Sequence, residues 1–156
     1  VDDCLLVGEE TDIQRAKQIL ISQFKMKDLG EIKLIIGIQV ERDEESTRIF
    51  QTRKIEEMLT RFGMQDCRGV DTPFPPNYQR VQTKPFQDQT KYREAVGALN
   101  YLAVCTRPDI SYAVSQISKQ MQNPTEEDWI QVKRIMRYLQ KTKDTKLVYR
   151  ADSKST

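Results

Sequence analysis

The hydrophobic positions of this chain switch between two periods, and the switches mark out its elements. Leu5-Leu6-Val7 is a short apolar run that reads as a strand. Thr11 then precedes Ile13, Ala16, Leu20 and Phe24, a stripe at helical spacing. Thr11 is the expected N-cap and Leu29-Gly30 the expected close. This helix is expected to pack on the sheet begun by Leu5 to Val7. From Ile32 to Val40 the period becomes two. Ile32, Leu34, Ile36, Ile38 and Val40 alternate with Lys33, Ile35, Gly37, Gln39 and Glu41. That pattern predicts one continuous strand, with Gly37 marking a bulge or, second, a close approach by another backbone. The polar run Arg42 to Thr47 predicts a turn, and Arg48 to Gln51 a returning strand.

The helical period then returns. Thr52 is the expected cap of a helix that turns Ile55, Met58, Leu59 and Phe62 inward and ends at Gly63. Residues 64–89 carry Pro73, Pro75, Pro76 and Pro85 among polar residues, and predict an extended surface linker and hinge. Thr90 to Val104 is a helix with Tyr92, Val96, Leu99 and Leu102 on one stripe. Its Ala95, Gly97, Ala98 and Ala103 leave room for a close helix neighbour. Arg107-Pro108-Asp109 breaks it, and Pro108 suits the first turn of the next helix, which carries Ile110, Ala113, Val114, Ile117 and Met121. After Asn123-Pro124, Thr125 and Asp128 make a capping-box pattern. Trp129, Val132, Met136 and Leu139 then face inward. Lys146 to Tyr149 starts another strand. The fold class is α+β: a small antiparallel sheet with one packed helix, then a mostly helical region.

Composition narrows the chemistry. The net charge of the 156 residues is +2, so no global basic signature points to nucleic acid. Three widely spaced cysteines and no histidine exclude Cys/His zinc motifs and histidine catalysis, and argue for a reducing compartment. No apolar run approaches the roughly 20 residues that span a bilayer, so no membrane partner is expected. The chain starts at Val1, inside what reads as a hairpin, and is taken as a fragment of a longer one.

Two groups of charges remain. Asp2 and Asp3 are adjacent. A regular strand would point them to opposite faces, but a tight turn brings both to one mouth, where they suit a hard divalent cation. The plainer reading is two solvated acids near a terminus. Lys133, Arg137 and Lys141 stand at i, i+4 and i+8 with Arg134 beside them, a basic stripe opposite the apolar one. Between Lys119 and Arg150 eight Lys/Arg face four Asp/Glu. The stripe is either a solvated helix face or a surface that tracks a phosphate backbone.

Several blocks together resemble the reverse transcriptase of Ty1/copia-type retrotransposon Pol polyproteins. Val1-Asp2-Asp3 is similar to the end of that family's Tyr-Val-Asp-Asp hairpin. Met26 to Glu31, Ile36-Gly37-Ile38, Gln51, Leu59 to Met64 and Asp71-Thr72-Pro73 follow in order. Ala95 to Leu102, Cys105 to Ile110, and Trp129 with Val132 to Leu139 complete the resemblance.

The resemblance implies roles. Asp2 and Asp3 would be two of three catalytic aspartates that hold a pair of Mg2+ ions for nucleotidyl transfer. Ile36, Gly37 and Ile38 would contact the primer terminus, and Lys133, Arg134, Arg137 and Lys141 would face the duplex. Residues 1–51 would be the end of the palm, and 52–142 the thumb with its linker at 64–89. Residues 143–156 would lead into the connection and RNase H region. Partners would be an RNA template, a DNA primer and the rest of the Pol polyprotein, in a cytoplasmic particle or the nucleus.

The departures matter too. Lys54 stands where the family usually carries Tyr. The third aspartate and the fingers are absent, so these residues alone are not expected to polymerise DNA or to bind Mg2+ tightly. The alternative is a non-catalytic, nucleic-acid-binding remnant of a mobile element. The N-terminal part is expected to expose a sheet edge.

Overall fold

The computed structural model describes residues 3–150. Its first helix, α1 (Glu10–Gln23), starts at a Glu9 cap rather than Thr11 and ends at Phe24, well before Leu29-Gly30. No residue of α1 is buried, and its stripe of Ile13, Ala16 and Leu20 is only half-buried. The expected strand at Leu5 to Val7 is absent: these residues are irregular, and Val7 is 88% exposed. A three-residue apolar run has too few alternations to specify a strand without a partner to pair with. The sheet on which α1 was to lie therefore does not start there.

The sheet has four antiparallel strands in chain order: β1 (Leu34–Ile35), β2 (Ile38–Arg42), β3 (Ser46–Phe50) and β4 (Leu147–Arg150). The single strand expected over 32–40 is split. Ile35 pairs with Ile38, and Ile36-Gly37 is the two-residue turn between them. Both turn residues have positive φ, 43° and 79°. That double left-handed geometry is a type I′ hairpin, whose twist matches that of the strands. Gly37 is thus neither a bulge nor a mid-strand residue.

The next turn is held by Asp43. Its Oδ1 accepts from the backbone N–H groups of Glu45 and Ser46 at 3.0 and 2.8 Å. Strand β4 pairs with β3 across about a hundred residues of chain, so the register lines up Val40, Ile49 and Leu147 on one face. Phe50 and Gln39 pair on the other face, where Phe50 is buried.

The core lies in the helices α2 (Thr52–Arg61), α3 (Gln89–Cys105), α4 (Ser111–Ser118) and α5 (Glu126–Lys141). Every residue expected inward on α5, and Ile55, Met58 and Leu59 on α2, is buried. Asp88 caps α3 by accepting from the Lys91 N–H at 2.9 Å. Pro108 opens a short 3-10 turn, Pro108–Ile110, that leads into α4. Met121 lies beyond the end of α4 and is 40% exposed. The capping box at Thr125 and Asp128 is present in full. Ala95 and Ala103 are buried at helix contacts, but Gly97 faces open space instead of a neighbouring helix.

One buried cluster locks the C-terminal end of this bundle. Arg107 is 1% exposed. Its guanidinium forks onto Asp109 at 3.0 and 2.8 Å and also donates to the Thr142 carbonyl and hydroxyl. Arg107 thereby satisfies carbonyl oxygen left over at the end of α5.

Residues 64–88 run over the surface as expected, but they do not hang free. Near their C-terminal end, Pro85 bridges Thr125, Phe86 stacks on Trp129 at 4.9 Å, and Arg80 forks onto Asp128. The stretch is a strap fastened across α5. No described helix is long and apolar enough to cross a membrane.

Candidate nucleic-acid interface

The Ile36-Gly37 turn projects from the sheet toward α2 and α3. Tyr101, on α3, donates its hydroxyl to the Ile36 carbonyl. A Cβ placed on Gly37 would sit 3.9 Å from both the Tyr101 hydroxyl and Lys54 Cδ. The turn is therefore fixed between one aromatic side chain and one cationic stem. Ile36 itself points outward and is 64% exposed. A β-branched residue in the left-handed region is strained, and Asn is the residue type this turn position favours. An exposed apolar side chain thus occupies a costly conformation while burying little.

Gly97 stands one helical turn before Tyr101 on the same side of α3. It is exposed, with nothing within 4 Å of where a Cβ would stand. At Gly97 the surface of α3 therefore carries no side chain. Sequence reasoning placed Ile36, Gly37 and Ile38 together but missed Tyr101 as their support. The available signal was its i+4 spacing from Gly97, off the apolar stripe of Tyr92, Val96, Leu99 and Leu102.

Lys133, Arg134, Arg137 and Lys141 do share one side of α5, as their spacing required. The side is largely occupied by the strap. Arg134 donates to the Thr72 hydroxyl at 2.8 Å and Arg137 Nε to the Arg68 carbonyl at 2.8 Å. Lys141 pairs with Asp71, which holds the Asp71 carboxyl below its ordinary range. Lys133 is half-buried on the same side.

Asp2 lies outside the described residues. Asp3 is exposed in irregular chain. Among the described residues no three His, Cys, Asp or Glu side chains gather as a metal cluster would require. A hard cation takes six or more oxygen ligands. Mg2+ takes only one or two of these from carboxylates and the rest from water and substrate phosphates, so an acid pair is a fitting donor set where the other oxygens are supplied.

Asp128 and Asp109 are held down by partners that fasten the fold. Burial pushes the Asp128 carboxyl up, but Arg80 and the N–H and hydroxyl of Thr125 outweigh it, and the group ends below its ordinary value. Asp109 follows the same pattern: burial raises it, while Arg107 and the Tyr138 hydroxyl bring it down.

Residues 1–76 match the protein family described as reverse transcriptase (RNA-dependent DNA polymerase). The chain is 38% identical over 153 residues to the retrovirus-related Pol polyprotein from transposon TNT 1-94 of Nicotiana tabacum, covering 91% of this chain and 12% of that one. It is 39% identical over 142 residues to the Pol polyprotein from transposon RE1 of Arabidopsis thaliana, covering 89% and 10%. It is also 39% identical over 144 residues to an uncharacterized mitochondrial protein of Arabidopsis thaliana, covering 91% and 60%. The chain therefore spans about a tenth of the two polyproteins. No solved structure matches it.

Proposed function

From the premise that this chain carries reverse transcriptase sequence of the copia-type retrotransposon kind, we propose that it holds the template–primer duplex at its growing end within an RNA-directed DNA polymerase. The observation that carries this reading is the strained, exposed Ile36 on a turn fastened by Tyr101. Strain kept at an exposed position argues for a contact made there. The turn residues Ile36 and Gly37, with Ile38, support the end of the primer strand. Gly97 and Tyr101 continue that surface along α3. The stripe of Lys133, Arg134, Arg137 and Lys141 neutralises backbone phosphates.

Asp2 and Asp3 are proposed as ligands to Mg2+ in the complete polymerase, where the metal pair would activate the primer hydroxyl and steady the leaving pyrophosphate. The remaining ligands would come from other parts of the polyprotein. These residues alone bind duplex but do not extend it.

The test is binding of a fluorescent RNA–DNA duplex across a salt series, with a primer-extension assay beside it. The expected result is affinity that falls steeply with salt and is weakened by Gly37→Val, with no nucleotide incorporated. Affinity indifferent to salt overturns the phosphate contacts. Undiminished binding by Gly37→Val with intact folding overturns the role of the turn. Template-dependent incorporation overturns the expected inactivity.

A further inference from the structure

The strap is not fastened evenly. Its C-terminal part is tied by the Arg80–Asp128 fork, the Phe86–Trp129 stack and the Pro85 bridge. Met64 and Phe74 are apolar anchors, both packed against the helical core. Between these two anchors lie nine residues, 65–73, held to α5 by polar contacts. The Gln140 side chain donates to the Gln65 carbonyl at 2.8 Å. Arg137 reaches the Arg68 carbonyl, Arg134 the Thr72 hydroxyl and Lys141 the Asp71 carboxylate.

This stretch lies very close to α5. A Cβ added to Gly69 would stand 2.7 Å from Lys141 Cβ, closer than unbonded carbons tolerate. Glycine is what lets the backbone approach. Yet the ties are solvent-exposed: the Asp71 side chain is 84% accessible and that of Lys141 53%. Exposed ion pairs are weak and screened by salt. The partners presented to the three cations are a carboxylate, a hydroxyl and a carbonyl, all oxygen acceptors. A phosphate backbone would offer those cations the same kind of acceptor with more charge.

We propose that residues 65–73 are a flap that masks the basic stripe of α5, and that a nucleic-acid backbone engages Arg134, Arg137 and Lys141 by displacing it. The inference rests on the duplex-binding reading above and adds a switch to it. In the masked state Lys141 is ion-paired, and Arg134 and Arg137 are engaged by neutral oxygens of the flap. In the open state Met64 and Phe74 keep the flap tethered at both ends, so it can close again. Duplex affinity is therefore set by competition between Asp71 and phosphate for one lysine, and by the fit of Gly69 against Lys141.

The experiment compares the full chain with Asp71→Asn and Gly69→Ala, using an 18-base-pair RNA–DNA duplex and a salt series. Amide exchange over 65–73 is followed with and without the duplex. Asp71→Asn alters an exposed side chain, so folding is retained, and the unfolding midpoint checks this. The expected result is tighter binding by both variants, roughly two- to fivefold for Asp71→Asn, the size of one released exposed ion pair. Duplex should also speed exchange across 65–73 in the unmodified chain. Equal or weaker binding by folded variants overturns the flap, as does exchange over 65–73 that duplex leaves unchanged; in those cases the duplex-binding reading stands if the unmodified chain binds. Absence of binding by all three forms overturns both.

Discussion

Ile36 is the residue whose backbone and side chain disagree most. Its φ of 43° and 64% exposure put a β-branched apolar group where the chain would prefer Asn. Relieving that conflict should stabilise the fold. We predict that Ile36→Asn gains about 1 kcal/mol in chemical unfolding, the lower end of the cost of such strain, while weakening duplex binding. Loss of stability instead would mean that Ile36 is packed more firmly than its exposure indicates. Arg107 is the opposite case, a buried charge that makes four hydrogen bonds. Arg107→Met leaves Asp109 without its fork and the end of α5 without a donor. It should cost about 2 kcal/mol in denaturant unfolding, the range for leaving buried hydrogen-bonding groups unsatisfied, because the Asp109 side chain is 36% exposed and water takes up part of the loss. Arg107→Lys should not restore the loss, because a single ammonium cannot reproduce the fork onto Asp109 together with the bonds to Thr142.

At the scale of elements, the strength of the sequence signal tracked the depth of burial. Helices α2, α3 and α5 each turn a long stripe to one core, so their periodicity decided both their type and their inward faces. The capping box at Thr125 was readable because its two residues are three apart. The hairpin over 32–42 was not. A two-residue turn built from Ile-Gly has none of the Asn-Gly or Asp-Gly signature that marks such turns, and alternation runs straight through it. The basic stripe was half legible: spacing fixes which residues share a side of α5, but not that residues 65–73 lie on that side. Strand β4 is legible as a strand from Lys146 to Tyr149, but its partner β3 lies about a hundred residues away, and only the folded chain supplies it.

The start of α5 yields a prediction about pH. The Asp128 carboxylate accepts from Arg80 Nε and Nη2 at 3.0 and 2.8 Å, and from the Thr125 N–H and hydroxyl at 2.8 Å each. These partners lower its folded-state value below that of the unfolded chain. Its contribution is therefore complete above the ordinary aspartate value near pH 3.9, and is lost as pH falls through the lower folded value. The melting temperature should drop as the buffer is taken from about pH 5 to pH 3. Asp128→Asn should lower the melting temperature at pH 6 and flatten the acid drop. An acid drop of undiminished size in that variant would assign it to other carboxylates, Asp109 first among them.

For the molecule as a whole, the distribution of buried residues divides the chain unequally. The core cluster runs from Ile55 to Leu139, and none of its members precedes α2. Before β1 the chain contributes α1, which buries no residue, and irregular segments that leave Leu5, Val7, Phe24 and Leu29 more than half exposed. Burial of apolar area is what offsets the entropy of ordering a chain, so residues 3–33 add little to the stability of the rest. The sheet enters the helical body through Phe50, the Gln51–Thr106 hydrogen bond and the Tyr101 tie, all later in sequence. A chain shortened to start at Lys33 should therefore keep its cooperative unfolding, with a melting temperature within about 4 °C of the full chain, a change of roughly 1 kcal/mol or less. In amide exchange the helix α1 should lose protection long before α3 and α5. Loss of cooperative unfolding on truncation would show that α1 and the segments around it are structural supports of the sheet. Retention would show that the helical body and the sheet from β1 onward fold without α1 and the exposed apolar side chains around it.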